Sequence, residues 1–573
     1  MKPISLKDIR IKGELAVRSG LNFSRLEGQW YRPEEVFRAD SHGWPGDWEG
    51  RIILALTLLA QSTHRTPAYL DEIVELIPSH LNEKGYFGPI LPPGKFDEQH
   101  FGGHSWIIRA LCEYYLMTGK EEVKAMLERL VRNFLLPAAG SYAQYPIGPV
   151  SRFQQPGPWI LSKLQTKTKH HAETSDAGCA FIMIDGAAHA YELLRWPELA
   201  ALAEEMITRF MEMDLEALHI QTHATLSAIR GILRYYELTG EKKYLEMAEG
   251  RFNLYIDSAW TEAYGNYNWF GAPRWTEPCA IIDSFMAAVN LWKHTAKAAY
   301  LDYAHLIYFN AVCHGFRVNG SFGTDRCCGA RDTEDSLFIA PINYETYWCC
   351  TMRGGEGHSR AIEYNFFTEG NNVYVPFYNS CSGELGLDSG TLKIEEKTHY
   401  PYDGLVSFQI VEGTLPEAGT LNFYIPAWAH RQNLKILLNG LPLEITEKNG
   451  FAAVCSRLGA GDVIAFDLGL SARVEEAVFK NSIRGTHKFM YGPMLLGCKV
   501  SGEISSLDGN RFENYAESKY KASMEIKLSG NAELERLGRS EFRVKGTDIV
   551  LSSLCDVHDL TCEDSMKQVL FRE

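Results

Sequence analysis

Glu277, Cys279, Cys349 and Cys350 are the residues of this 573-residue chain whose types and spacing point most directly to chemistry. The first two lie in TEPCAIID, residues 276–283, where Thr276 or Glu277 is placed to cap a helix and Pro278 suits its first turn. Cys279 then falls where exposed N–H groups and the helix dipole favour thiolate. Cys349 and Cys350 stand side by side in YETYWCCTMRGGEG, residues 344–357, ahead of a glycine-marked helix start. Neighbouring residues in regular structure point apart, so a turn is required to aim both sulfurs at one centre. One carboxylate oxygen and three thiolates form a sound tetrahedral set for zinc, and thiolates select against magnesium and calcium. With every ligand ionised around Zn²⁺ the formal charge is about −2, and Arg274, Arg353 and Arg360 are candidate cations to offset it. Two small side chains buried in a loop would give the same vicinal pair. A second pair, Cys327 and Cys328 in GTDRCCGA, competes for the metal.

A helical scaffold must bring these segments together. Between about residues 40 and 367 apolar stretches recur with similar punctuation: LTLLAQSTHRTPAYLDEI (56–73), CEYYLMTGKEEVKAML (112–127), AYELLRWPELAALAEE (190–205), YYELTGEKKYLEMAE (235–249) and NLWKHTAKAAYLDYAH (290–305). Each reads as helix, short turn, helix. With a further helix after Arg353, five or six hairpins are expected. DAGCAFIMIDGAAHAYELL (176–194) and HATLSAIRGILRYY (223–236) are apolar or small nearly all round, whereas KKYLEMAEGRFNLYI (242–256) has a charged face. The contrast predicts an inner ring of helices wrapped by an outer one, with a pocket where the inner helices begin. The loops there would be HGWPGDWEG (42–50), QHFGGHSW (99–106), QTHAT (221–225) and NYNWFGAPRWTEPC (266–279). An α-solenoid scaffold is the plainer alternative.

After Phe367 the period changes to two: NNVYVPFYNS, LVSFQIVEG, LNFYIPAW and DVIAFDLGL are short, β-branched or aromatic, and separated by turn residues. The expected fold is multidomain α + β: an N-terminal (α/α)6-barrel over 1–368, a β-sandwich over 369–485 and a second β-rich domain over 486–573. The net charge of −15 argues against nucleic acid or an anionic membrane as partner. No stretch of 18 apolar residues occurs, the N-terminal segment lacks the apolar run of a secretory signal, and thirteen cysteines fit reduced thiols. A cytoplasmic protein is therefore expected. A homodimer is compatible with exposed faces on the β domains.

TEPCAIID and WCCTMRGGEG, followed by YVPFYNSCS, THYPYDG, FYIPAWA, ILLNG and GAGDVIAFDL, resemble glycoside hydrolase family 127, whose best-known activity is β-L-arabinofuranosidase. The resemblance covers most of the chain. It implies an (α/α)6-barrel with β-sandwich domains and a zinc ion held by Glu277, Cys279, Cys349 and Cys350. It further implies Cys349 as nucleophile and, within one residue of the family spacing, Glu262 in AWTEAYGNYNWF as acid/base. The aromatic surroundings of Glu262, Trp269 among them, suit a pocket wall. His223 resembles a family histidine that contacts the sugar, and His104 is a second candidate. The substrate implied is a small oligosaccharide of plant origin ending in β-L-arabinofuranose. Differences around the shared ligands leave room for another pentose or a deoxy sugar. An epimerase or lyase on the same barrel, and a carbohydrate-binding protein with an inert zinc knot, are the competing readings.

Overall fold

The structure is a computed structural model. It describes residues 1–38, 44–91, 96–148, 177–273, 275–331, 336–505, 524–556 and 566–573, together with the short strands at 159–160, 165–167, 172–174 and 519–522. Arg274 and the loop residues His42 and Gly43 lie outside the described residues.

Twelve of the described helices build the barrel: α1 (Gly13–Leu26), α2 (Asp47–Thr63), α3 (Leu70–His80), α4 (Glu98–Thr118), α5 (Glu121–Leu130), α6 (Met183–Leu194), α7 (Pro197–Met211), α8 (Thr222–Thr239), α9 (Lys242–Ala259), α10 (Pro278–Thr295), α11 (Ala299–Leu306) and α12 (Cys350–Glu363). The even-numbered helices pack each on the next, and α12 closes on α2, which completes an inner ring of six. Their side chains are buried on nearly every face. The odd-numbered helices lie outside, with α3, α5, α7, α9 and α11 each packed on the inner helix before it in sequence. The five hairpin turns read from the sequence fall between these pairs. In each, the first helix ends on a residue of positive φ: His64, Gly119, Arg195, Gly240 and Ala296.

The sixth pair is not a hairpin. The outer partner of α12 is α1, from the other end of the chain. Two further strands precede α1. Lys2–Pro3 pairs with Phe367–Glu369, and Ile9–Ile11 pairs antiparallel with Cys381–Leu387. The first residues thus pair with the β-sandwich sheets, whereas the expectation assigned 1–368 to the barrel. Ile4, Leu6 and Ile9 are buried there.

The sandwich stacks a six-stranded sheet, in the order 2–3, 367–369, 372–375, 421–424, 451–454 and 446–448, on a seven-stranded one running from 441–442 to 9–11. A third sheet begins at Ala472–Glu476, which pairs with His487–Tyr491, so the break expected at 486 falls inside a strand pair. In this last sheet Lys567–Gln568 pairs with Phe338–Ile339, and a barrel loop is thereby stitched into the C-terminal β region.

Candidate metal centre

The inner helices place their first turns around one point. Glu277 is the N-cap of α10 and Pro278 its first residue. The Glu277 side chain makes no cap hydrogen bond to its own helix, which leaves the carboxylate for other partners. Cys279 follows within the first turn. Cys349 is the N-cap of α12, with φ −150° and ψ −62°, and Cys350 is the first helical residue. This non-helical N-cap is the turn that brings adjacent sulfurs to the same side, and the two Sγ atoms are 3.4 Å apart.

Two short links fix these helix starts to each other. Trp275–Thr276, just before Glu277, pairs with Asp325–Arg326. The Arg326 N–H donates to Ala340, and Asp325 bridges Pro341, so the chain leading to Cys349 is tied to the chain leading to Glu277. Asp325 is itself fixed by His314 at 2.7 Å and Arg317 at 2.8 Å.

One donor atom from each of Glu277, Cys279, Cys349 and Cys350 falls within a sphere where all lie within 4.8 Å of one another. Cys279 and Cys350 have sulfurs 3.6 Å apart. Sulfurs bound tetrahedrally at about 2.3 Å from a metal are spaced roughly 3.8 Å from each other, close to what is seen. Glu277 Oε2 is buried without a hydrogen-bond partner among the described residues, as expected of an oxygen meant for a cation. The donor set fits a soft divalent metal. Burial pushes all three thiols well above their ordinary range and Glu277 up to about 7, so a bound cation is needed to hold this group of ligands ionised. Of the four, Cys349 alone is not fully buried.

The competing pair is elsewhere. Cys327 Sγ lies 3.4 Å from the Asn266 carbonyl, and Cys328 is buried against Glu262 and Lys488. Among the described residues the cation in contact with the cluster is Arg51, while Arg353 and Arg360 are engaged by carboxylates and Arg274 lies outside the described residues. Arg353 pairs with Asp283 and Glu356, and Arg360 with Glu113 and Glu363. Arg51, in the first turns of α2, puts Nη1 3.6 Å from Cys279 Sγ, pairs with Asp47 at 2.8 Å and stacks on Trp106 at 4.0 Å. Nothing in the spacing of the cysteines indicates it. Its one signal is the mouth loop HGWPGDWEG, which it directly follows.

His223, on the first turn of α8, lies between two carboxylates of α10, with Nδ1 3.5 Å from Glu277 Oε1 and Nε2 3.5 Å from Asp283 Oδ2. Burial, with Arg51, Arg353 and Arg230 close by, outweighs Asp283 and holds the ring neutral. Asp283 is the hub of a charged layer inside the barrel, taking Ser227, Arg230 and Arg353. Asn266 is a further residue not singled out from the sequence. Its Oδ1 accepts the Glu277 N–H at 3.0 Å, and its Nδ2 donates to Thr222 Oγ1 at 2.8 Å, next to His223.

The other sequence candidates occupy different settings. His104 uses both ring nitrogens on backbone, Nδ1 on the His100 carbonyl at 2.8 Å and Nε2 accepting the Phe87 N–H at 3.2 Å. Trp269 is buried in the loop before α10, edge-on to Trp275. Glu262 is 1% exposed and faces the C-terminal sheet. It pairs with Lys488 at 2.8 Å and accepts from Ser482 Oγ and, at 3.3 Å, from the Phe479 N–H.

Comparison with known proteins agrees with this architecture. Residues 372–470 match the family model described as beta-L-arabinofuranosidase, GH127 middle domain. No curated protein sequence matches. Among solved structures, the GH127 beta-arabinofuranosidase BT3674 superimposes with a TM-score of 0.68 at 14% identity, covering 100% of this chain and 97% of its own. A GH127 beta-L-arabinofuranosidase from Geobacillus stearothermophilus T6 gives the same score and identity, over 99% of this chain and 100% of its own. Residues 372–470 thus match the GH127 middle-domain model, within a chain whose fold is similar from end to end to that of solved GH127 structures.

Proposed function

We propose that this protein is a retaining glycoside hydrolase that releases a terminal sugar, β-L-arabinofuranose by default, from short plant-derived oligosaccharides. The observation that carries the reading is the convergence of Glu277, Cys279, Cys349 and Cys350 where the inner helices begin, with Cys349 the most accessible of the four. Zinc is the metal this donor set suits best, and when bound it keeps the sulfurs as thiolates at neutral pH.

In the first half of the reaction the Cys349 thiolate attacks the anomeric carbon as the bond to the leaving oxygen breaks, and Glu262 gives that oxygen a proton. In the second half Glu262 takes a proton from water, the water oxygen attacks the same carbon, and the carbon–sulfur bond breaks to return the thiolate. Two displacements retain configuration. His223 is proposed to contact the sugar, with Trp269 as part of the wall. Lys488, Ser482 and the Phe479 N–H surround the Glu262 carboxylate. The first half requires a protonated Glu262 whose carboxyl has parted from Lys488, so that its proton goes to the leaving oxygen.

Aryl glycosides of pentoses and deoxy sugars test the reading and identify the glycone. Cys349→Ala is expected to abolish hydrolysis. Glu262→Gln is expected to slow substrates with poor leaving groups by about 10²-fold or more, and activated ones less. Full activity of Cys349→Ala rules out the nucleophile, and full activity of Glu262→Gln rules out the acid/base.

The occupied carboxylate of Glu262 favours one alternative, a carbohydrate-binding protein whose metal is structural. In that case Cys349 resists alkylation, whereas an open nucleophile is alkylated and sugar protects it.

A further inference from the structure

A second pair of thiols, one of them between the two ligand segments in sequence, joins the barrel to the C-terminal sheet. Cys313 opens the short helical turn Cys313–Gly315, which follows the segment Ile307–Val312 that continues from α11, and Cys555 lies just beyond strand Val550–Ser553. Their Sγ atoms are 3.7 Å apart, and the residues are 1% and 2% exposed. The Tyr402 hydroxyl, from the sandwich, sits 3.7 Å from Cys555 Sγ.

Arg18 of α1 completes the group. Its guanidinium is buried and donates through Nη2 to the Cys555 carbonyl, and its ion pair is with the partly exposed Glu14 at 3.6 Å. Nε and Nη1 have no hydrogen-bond partner among the described residues. A buried guanidinium with spare donors favours an anion beside it. Burial alone would push the Cys313 thiol up, but the hydrogen bond from Cys555 and the Arg18 cation outweigh it and hold Cys313 below its ordinary range. Cys555, the donor of that bond, is pushed well above. The two sulfurs are thus unlike, one disposed to react as thiolate and the other to resolve.

We propose that Cys313 and Cys555 are a redox pair that closes to a disulfide between the barrel and the C-terminal sheet when a peroxide reaches it. The Cys313 thiolate attacks one peroxide oxygen, the O–O bond breaks, hydroxide leaves, and Cys313 becomes a sulfenic acid. The Cys555 sulfur then attacks the Cys313 sulfur and displaces its hydroxyl. That hydroxide and the Cys555 proton leave as water. Overall two thiols are oxidised and one peroxide is reduced to two waters. The sulfurs have to approach by roughly 1.7 Å to reach bonding distance, a movement of side-chain scale.

Peroxide titration of the full-length, metal-loaded protein, followed by acid quench, alkylation and peptide mapping by mass spectrometry, tests this. Cys455 is exposed and serves as the internal control for oxidant exposure. The expected result is a Cys313–Cys555 linked peptide that reductant removes and that is missing from both Cys313→Ser and Cys555→Ser. Thermal unfolding of the oxidised wild type should occur at higher temperature than that of the reduced protein, with no such rise in Cys555→Ser. Arg18→Met should slow formation of the link about tenfold. Recovery of Cys313 and Cys555 as free thiols, or as separate sulfinic acids, from protein whose Cys455 has been oxidised would overturn the proposal.

Discussion

Asn266 shows how much the Glu277–Cys cluster, which could hold a metal ion, depends on residues outside it. Its amide holds the N–H of Glu277 on one side and the hydroxyl of Thr222 on the other, and so sets the distance between the carboxylate ligand and His223. Outer partners of this kind typically change metal affinity by about 10- to 100-fold when removed. Asn266→Ala is expected to weaken metal binding by that factor, measured by competition with a chromophoric chelator. Unchanged affinity would show that the α10 start is held by the strand pairing at Trp275–Thr276 alone. Arg51 acts at the same scale from another helix, as the cation beside Cys279. A histidine in a mouth loop, such as His223, can be marked from sequence. The carboxylate it shares with Arg230 and Arg353 is visible only once α8, α10 and α12 are packed together.

At the scale of elements, the inner ring closes because small residues let its helices approach. A Cβ built on Gly50 of α2 would lie 2.2 Å from the Ile107 nitrogen on α4. One on Gly231 of α8 would lie 2.4 Å from the Asp185 nitrogen on α6, and one on Gly355 of α12 would press on Leu59 and Ala55 of α2. Where the obstacle is backbone, no rotamer change relieves it. Gly231→Ala is therefore expected to destabilise the barrel by about 3 kcal/mol, read from denaturant unfolding. Gly240→Ala, at a helix end with open space around its Cβ but φ near 72°, should cost about 1 kcal/mol through backbone strain alone. A larger loss at Gly240 than at Gly231 would contradict the close-approach argument.

The whole molecule is closed by its first residues. The strands at Lys2–Pro3 and Ile9–Ile11 join both sheets of the sandwich, and α1 then supplies the outer partner of α12, which carries Cys350. Ile4, Leu6 and Ile9 bury large aliphatic side chains there, each contributing about 1.5–3 kcal/mol. Their sum is comparable with the whole stability margin of a domain. Removal of residues 1–11 should lower the unfolding temperature of barrel and sandwich together. An unchanged melting curve would show that the terminal strands are ornamental.

Periodicity alone identified the five hairpins and the change from helix to strand after Phe367, because each follows from local spacing of apolar residues and from turn residues between them. The cluster that could hold a metal was legible for a related reason: a helix start at Glu277 and a vicinal cysteine pair at another helix start both leave local marks. The pairing of α1 with α12, the strands before α1, the placement of Arg51 and Asn266 and the setting of Glu262 against Lys488 were decided by tertiary structure. Each joins segments far apart in the chain, and whether a carboxylate meets a pocket or a lysine depends on which sheet folds back over it.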